Sequence, residues 1–182
     1  MNLWFRLLVY FMGAPFRARL TAPFELSRLT FCVLRNDLDI NLHMNNGRYL
    51  TIMDIGRFDL IMRMGLAREA RSHGWMPILS AAKVRFRREL RLFQSYTLEI
   101  RIVWWARTHF VMEHRLVIAS GKGKGQLATV ALMLGGLYEL ANRRFVPVDE
   151  LMRVLAVEAT SPPATPEIEA FLAAEQALKR SA

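Results

Sequence analysis

Two acids, a histidine and a pair of asparagines stand close together in Asp37-Leu38-Asp39-Ile40-Asn41-Leu42-His43-Met44-Asn45-Asn46-Gly47-Arg48-Tyr49. Carboxylates and an imidazole at this spacing can hold a water, take its proton, or attack an electrophilic carbon. The even positions (Leu38, Ile40, Leu42, Met44) are apolar and the odd ones (Asp37, Asp39, Asn41, His43, Asn45) polar. Such alternation predicts extended backbone with one dry and one wet face. Asn45 or Asn46 can then cap a helix. Its apolar positions Leu50, Ile52, Met53, Ile55, Phe58, Ile61 and Met62 form a broad face. The first N–H groups of a buried helix are unpaired and carry partial positive charge. An acid and a histidine beside such a helix start are suited to polarising and attacking a carbonyl.

The elements that must position this stretch follow in order. Arg28 to Leu34 predicts a short buried strand, and the helix runs from about Gly47 to Met64, ending near Gly65. Gly56 inside it predicts a close approach by another backbone, and Asp54 with Arg57 a local ion pair. Leu66 to Gly74 reads as a short connector. Beyond it the period changes to two. Met76 to Glu89, Tyr96 to Trp105, Phe110 to Ala119 and Leu127 to Tyr138 are expected strands of an antiparallel meander, with Val84 and Phe86 inward. The class is α+β, a sheet wrapped around one long helix. Gly121 to Gly125 lacks phosphate-loop spacing and reads as a hairpin turn. Val148 to Val157 looks helical, and Thr165-Pro166 starts a last helix with acids early and bases late.

Composition bounds the partners. The 182 residues are 53% hydrophobic, enough for one core with terminal extensions. A single cysteine, Cys32, excludes a disulfide framework and reads as a small buried hydrophobe. Net charge is +9, from 25 Lys and Arg against 16 Asp and Glu, which favours an anionic partner. Lys83, Arg85, Arg87, Arg88 and Arg91 cluster on one strand and its turn. They read either as a solvated strand edge or as a seat for phosphates. Trp104, Trp105 and Phe110 do not interleave with them, so no nucleic acid is expected. His73, His109 and His114 lack ligand spacing, so no metal is expected.

No stretch has the roughly 18 apolar residues of a membrane span. Residues 1–12 are nevertheless greasy around a single Arg6, and a cleaved signal peptide is not expected. Two readings stand for this arm. It packs on the domain or a second subunit, or it lies in a membrane interface with Trp4 and Tyr10 at headgroup depth and Arg6, Arg17 and Arg19 towards anionic lipid. Pro15 and Pro23 break the helix after it. The expected division is an N-terminal arm and linker over 1–26, a domain over 27–146 and a helical extension over 147–182. The expected location is cytoplasmic, with peripheral membrane contact left open.

Asp37-x-Asp39-x-x-x-His43-x-Asn45-Asn46-x-x-Tyr49 resembles the signature of hotdog-fold thioesterases, in the 4-hydroxybenzoyl-CoA thioesterase branch. Its run through Leu-His-Met-Asn-Asn-Gly-Arg-Tyr-Leu is similar to the subgroup called thioesterase superfamily member six. The resemblance, over about residues 28–138, implies a five-stranded antiparallel sheet around one central helix, with homodimers or tetramers. It implies hydrolysis of a fatty or aromatic acyl-CoA, or acyl-CoA binding without turnover, and no cofactor beyond the coenzyme A of the substrate. It passes the catalytic carboxylate to Asp39, as base or nucleophile, and the carbonyl-polarising backbone N–H to Asn46, with Asn45 and Gly47 beside it. His43 either orients Asp39 or is structural; Asp37 is expected to hold the turn. Tyr49 is expected to wall the pocket, and Arg85, Arg87 and Arg88 to meet coenzyme A. Leu42 departs from the family, where Gly often precedes the His.

Overall fold

The computed structural model describes residues 3–13, 16–21 and 23–181. Pro15 and the side chains of Leu3, Trp4, Phe5 and Phe11 lie outside what is described, and with them the readings that rest on Pro15 and Trp4. The elements are α1 (Leu3–Gly13), β1 (Ser27–Cys32), α2 (Asn46–Arg63), α3 (Leu66–His73), β2 (Trp75–Phe86), β3 (Ser95–Ala106), β4 (His109–Ile118), β5 (Leu127–Glu139), β6 (Arg144–Phe145), α4 (Val148–Val154) and α5 (Pro166–Ser181).

The sheet is antiparallel in the order β1-β3-β4-β5-β2, with the two-residue β6 added beside β5. Only β3, β4 and β5 form a meander. Instead of pairing with β3, β2 crosses to β5, with Trp75 opposite Glu139 and Phe86 opposite Thr129. A period of two reports which face a residue takes, not which strand lies alongside, so the alternation does not distinguish the two pairings.

α2 lies in the concave face. Asn45 caps it, its Oδ1 accepting the Gly47 N–H at 2.8 Å, and Gly65 beyond its end takes a φ of 76°. Its inward stripe is Tyr49, Ile52, Met53, Ile55, Gly56, Asp59 and Leu60. The expected face was too broad, since Leu50, Phe58 and Met62 stand partly in solvent. Gly56 is where the helix meets the sheet: a Cβ there would come within 2.4 Å of Ile100 Cδ1 and 2.5 Å of Leu98 Cδ2. Side chains of β3, not a backbone, therefore require the glycine.

The N-terminal segment is docked through buried charges. Arg6 donates to both oxygens of Asp37 (3.2 and 2.6 Å) and to the Cys32 carbonyl. Arg17 reaches Asp59 at 2.7 Å, and Ser27 and Arg63 complete that carboxylate's shell. At the other end, α5 lays Ile168 and Phe171 on Val111 and Leu134 of the sheet's outer face. Each side chain so buried is worth about 1.5–3 kcal/mol. Among the described residues no helix is long and apolar enough to cross a membrane.

Candidate active site

The stretch from Asp37 to Met44 is not an alternating strand. Arg35–Asp37 forms one tight helical turn, and Leu38 then pairs with Met44 across a closed loop. Asp39 N–H donates to the His43 carbonyl (2.9 Å) and Leu42 N–H to the Asp39 carbonyl (3.1 Å). Where backbone turns this sharply, neighbours no longer alternate across a sheet. Ile40 and Leu42 are 96% and 73% exposed, while Asp37 is buried at 2%. Asp37 accepts the Leu34 N–H as well as Arg6, so it holds the turn and docks the arm.

Within the loop Asp39 is half-buried and aimed by its neighbours. Its Oδ1 accepts the Asn41 N–H at 2.8 Å, and its Oδ2 lies 3.3 Å from His43 Nδ1. The loop is fixed to the head of α2 by Asn45 N–H on the Asp37 carbonyl (2.8 Å) and Met44 N–H on the Leu90 carbonyl (2.8 Å). At that head the cap uses Gly47 N–H through its side chain and Arg48 N–H through its carbonyl. Among the described residues the Asn46 N–H has no partner. Of the three expected contributors Asn45, Asn46 and Gly47, only Asn46 thus presents an unused backbone donor.

Tyr49, one turn on, is buried and meets Phe86 edge-on at 5.0 Å. Burial raises its phenol pKa, against hydrogen bonding from the Leu90 backbone and the Thr129 side chain, and Glu89 and Asp39 act on it as nearby negative charges. Asp39, Tyr49 and the chain from Phe86 to Arg91 therefore share one neighbourhood, with His43 paired through backbone to Arg91. Arg91 holds the Glu89 carboxyl below its ordinary range, and His43 adds to this.

Arg85, Arg87 and Arg88 surround a shallow depression with Phe86. Phe86 faces inward onto Tyr49 but stays 43% exposed, because β2 is an edge strand with no neighbour beyond it among the described residues. Among the described residues no carboxylate pairs with Arg85, Arg87 or Arg88. The backbone N–H groups of Arg87 and Arg88 converge on the Ala128 carbonyl, which fixes how these side chains fan out.

An apolar cavity of about 390 Å³ lies elsewhere, between the C-terminal half of α2, the start of β2, and α4. None of Asp39, His43, Asn45, Asn46, Gly47 or Tyr49 lines it. Sequence reasoning missed this cavity and read Arg57, on its wall, only as half of a surface pair. The signal was present: Asp54, Phe58 and Ile61 recur at helical spacing on a second face of α2.

A capped helix wrapped by one antiparallel sheet, with the motif at its head, is the hotdog fold. Solved structures share it. The SAV2348 protein from Staphylococcus aureus, solved in complex with CoA, has a TM-score of 0.64 at 17% identity, over 80% of this chain and 92% of that one. The 4-hydroxybenzoyl CoA thioesterase from Pseudomonas sp. strain CBS-3 has a TM-score of 0.61 at 17% identity, over 69% and 96%. The chain belongs to the thioesterase-like superfamily, whose family model matches residues 33–156. The protein THEM6 from Xenopus laevis is 38% identical over 85 residues, 47% of this chain and 41% of that protein. The chain spans about half the length of the curated relatives it matches.

Proposed function

We propose that the protein hydrolyses an acyl-CoA thioester at the head of α2. The observation that carries this is the unused Asn46 N–H at a helix start tied by backbone to the Asp39 loop. Water attacks the thioester carbon while Asp39 takes its proton; the carbonyl oxygen gains negative charge and accepts from Asn46 N–H. Collapse breaks the C–S bond and the thiolate leaves with the proton. Asp39 attacking the carbon itself, with water then opening the anhydride, uses the same donor. One well-placed donor is worth about 3 kcal/mol at that oxygen. His43 holds the Asp39 carboxylate in place, Tyr49 walls the site, and Arg85, Arg87 and Arg88 meet the phosphates of coenzyme A. The complex of the SAV2348 protein with CoA supports that ligand class.

A second copy completes the site. Among the described residues β2 has no neighbour on its outer edge. Pairing two such edges about a two-fold axis is antiparallel. The Phe86 end of one β2, beside the Asp39 loop, then faces the Trp75 end of the other, where the cavity lies.

The test is an acyl-CoA hydrolysis panel with Asp39→Asn. Turnover is expected to fall at least about 100-fold with unchanged unfolding. Undiminished hydrolysis contradicts the proposal.

One observation favours a second reading, acyl-CoA binding at a membrane surface without turnover. Leu8, Val9, Met12 and Phe16 stand 51–91% exposed on or just after α1. Flotation with anionic liposomes, with and without residues 1–20, tests it. Binding that is lost with the arm, together with no hydrolysis of any acyl-CoA, supports it; hydrolysis contradicts it.

A further inference from the structure

The cavity by the C-terminal half of α2 is apolar almost throughout, walled by residues such as Leu60, Ile78, Ile102, Trp105 and Met152. Its volume of about 390 Å³ falls among small-molecule sites. Among the described lining residues only Asp54 and Arg57 are charged. They form an ion pair in which the Asp54 side chain is 53% exposed and that of Arg57 13%. The carboxylate stands at the rim and the guanidinium inside.

That guanidinium is short of acceptors. It carries five N–H donors. Asp54 takes Nη2, and Nη1 lies 2.7 Å from Met133 Sδ, a weak acceptor. Among the described residues no other oxygen reaches it. Two residues along β4 from Met112, a lining residue, His114 is fully buried, and among the described residues neither ring nitrogen has a hydrogen-bond partner. Burial, then the charge of Arg57, lowers the His114 pKa to about 3, so at neutral pH it adds no charge. Burial pulls the Arg57 pKa down to about 10, which leaves it protonated. A cation held among apolar groups with one strong acceptor is costly, and a second anion would offset that cost.

We propose that this cavity binds an apolar carboxylate, its chain against the apolar walls and its carboxylate on the inner side of Arg57. The shared chemistry has two sources, a free fatty acid or the far end of a carboxyl-terminated acyl thioester. Within one protomer Arg57 lies about 16 Å along α2 from Asn46, too far for its guanidinium to touch a carbonyl reacting there. The site therefore does not depend on the hydrolytic reading.

Calorimetric titration of the full chain with decanoate and with decanol tests it. Decanoate is expected to bind at least about tenfold tighter, the worth of one charged hydrogen bond. Arg57→Met should erase that preference and leave decanol within about twofold, since the removed interaction is charge-specific. Met152→Trp, which fills the cavity from α4, should weaken both ligands and keeps the test alive if Arg57→Met does not fold. Binding of neither ligand, as when a second copy fills the cavity, overturns the proposal. So does equal binding, or a preference that survives Arg57→Met. Comparing hydrolysis of 9-carboxynonanoyl-CoA and decanoyl-CoA separates the sources. A matching preference assigns the site to the acyl chain end, and a preference in titration alone to the free acid. Decanoate bound without any hydrolysis sinks the thioesterase reading and leaves this one standing.

Discussion

Leu42 adopts a φ of 61° in the loop that carries Asp39, a left-handed conformation that costs a non-glycine residue about 1–2 kcal/mol. Its side chain is 73% exposed, so little packing offsets the strain. Glycine there removes the strain but adds about 0.5–1 kcal/mol of unfolded-chain entropy. Leu42→Gly is therefore expected to be neutral or to stabilise by up to about 1.5 kcal/mol in urea unfolding. A loss beyond 1 kcal/mol would show that Leu42 makes contacts elsewhere. At this scale local chemistry was legible in the sequence. Asp39 and His43 are four apart and meet, and Asn45 caps. The partner of Asp37 was not legible, because Arg6 lies 31 residues away and no local pattern encodes that distance.

α2 was legible for reasons that survive in the structure: an asparagine cap, a glycine after its end, and apolar residues on a helical period. Which of its two apolar faces meets the sheet was not, since both carry large hydrophobic residues. Gly56 decides it, because only that side lets Leu98 and Ile100 come close. The other face carries Phe58 and Ile61 into the cavity. β2 was legible as a strand but not as an edge. Its exposure on both sides, with Met76, Leu79 and Phe86 each about 40% exposed, reflects the missing neighbour. Basic side chains along it guard that edge against indiscriminate pairing.

Across the whole molecule, the N-terminal arm is tied to the domain at two buried carboxylates, Asp37 by Arg6 and Asp59 by Arg17. Asp37 also accepts the backbone that shapes the Asp39 loop, so the arm and the candidate site share one anchor. Among the described residues, Arg6→Met leaves buried Asp37 with only the more distant Arg48, at 3.8 Å, as a cation. The expected cost is about 3 kcal/mol in denaturant unfolding, as for other broken buried pairs. A cost under 1 kcal/mol would mean that Arg48 moves in to replace it. The fold and the motif were thus readable from the chain, whereas the docking of its ends depended on charges far apart in sequence.

The central claim is that one backbone donor at the head of α2 stabilises the reacting oxygen. Asn46→Pro deletes that N–H and little else. Proline is favoured at the first helical position, and Asn45, at φ −60° and ψ 137°, already has the backbone that proline requires before it. Single-turnover acyl-CoA hydrolysis by this variant should fall by about 100-fold or more with unchanged thermal unfolding. Hydrolysis at the wild-type rate by a folded Asn46→Pro protein would contradict the claim.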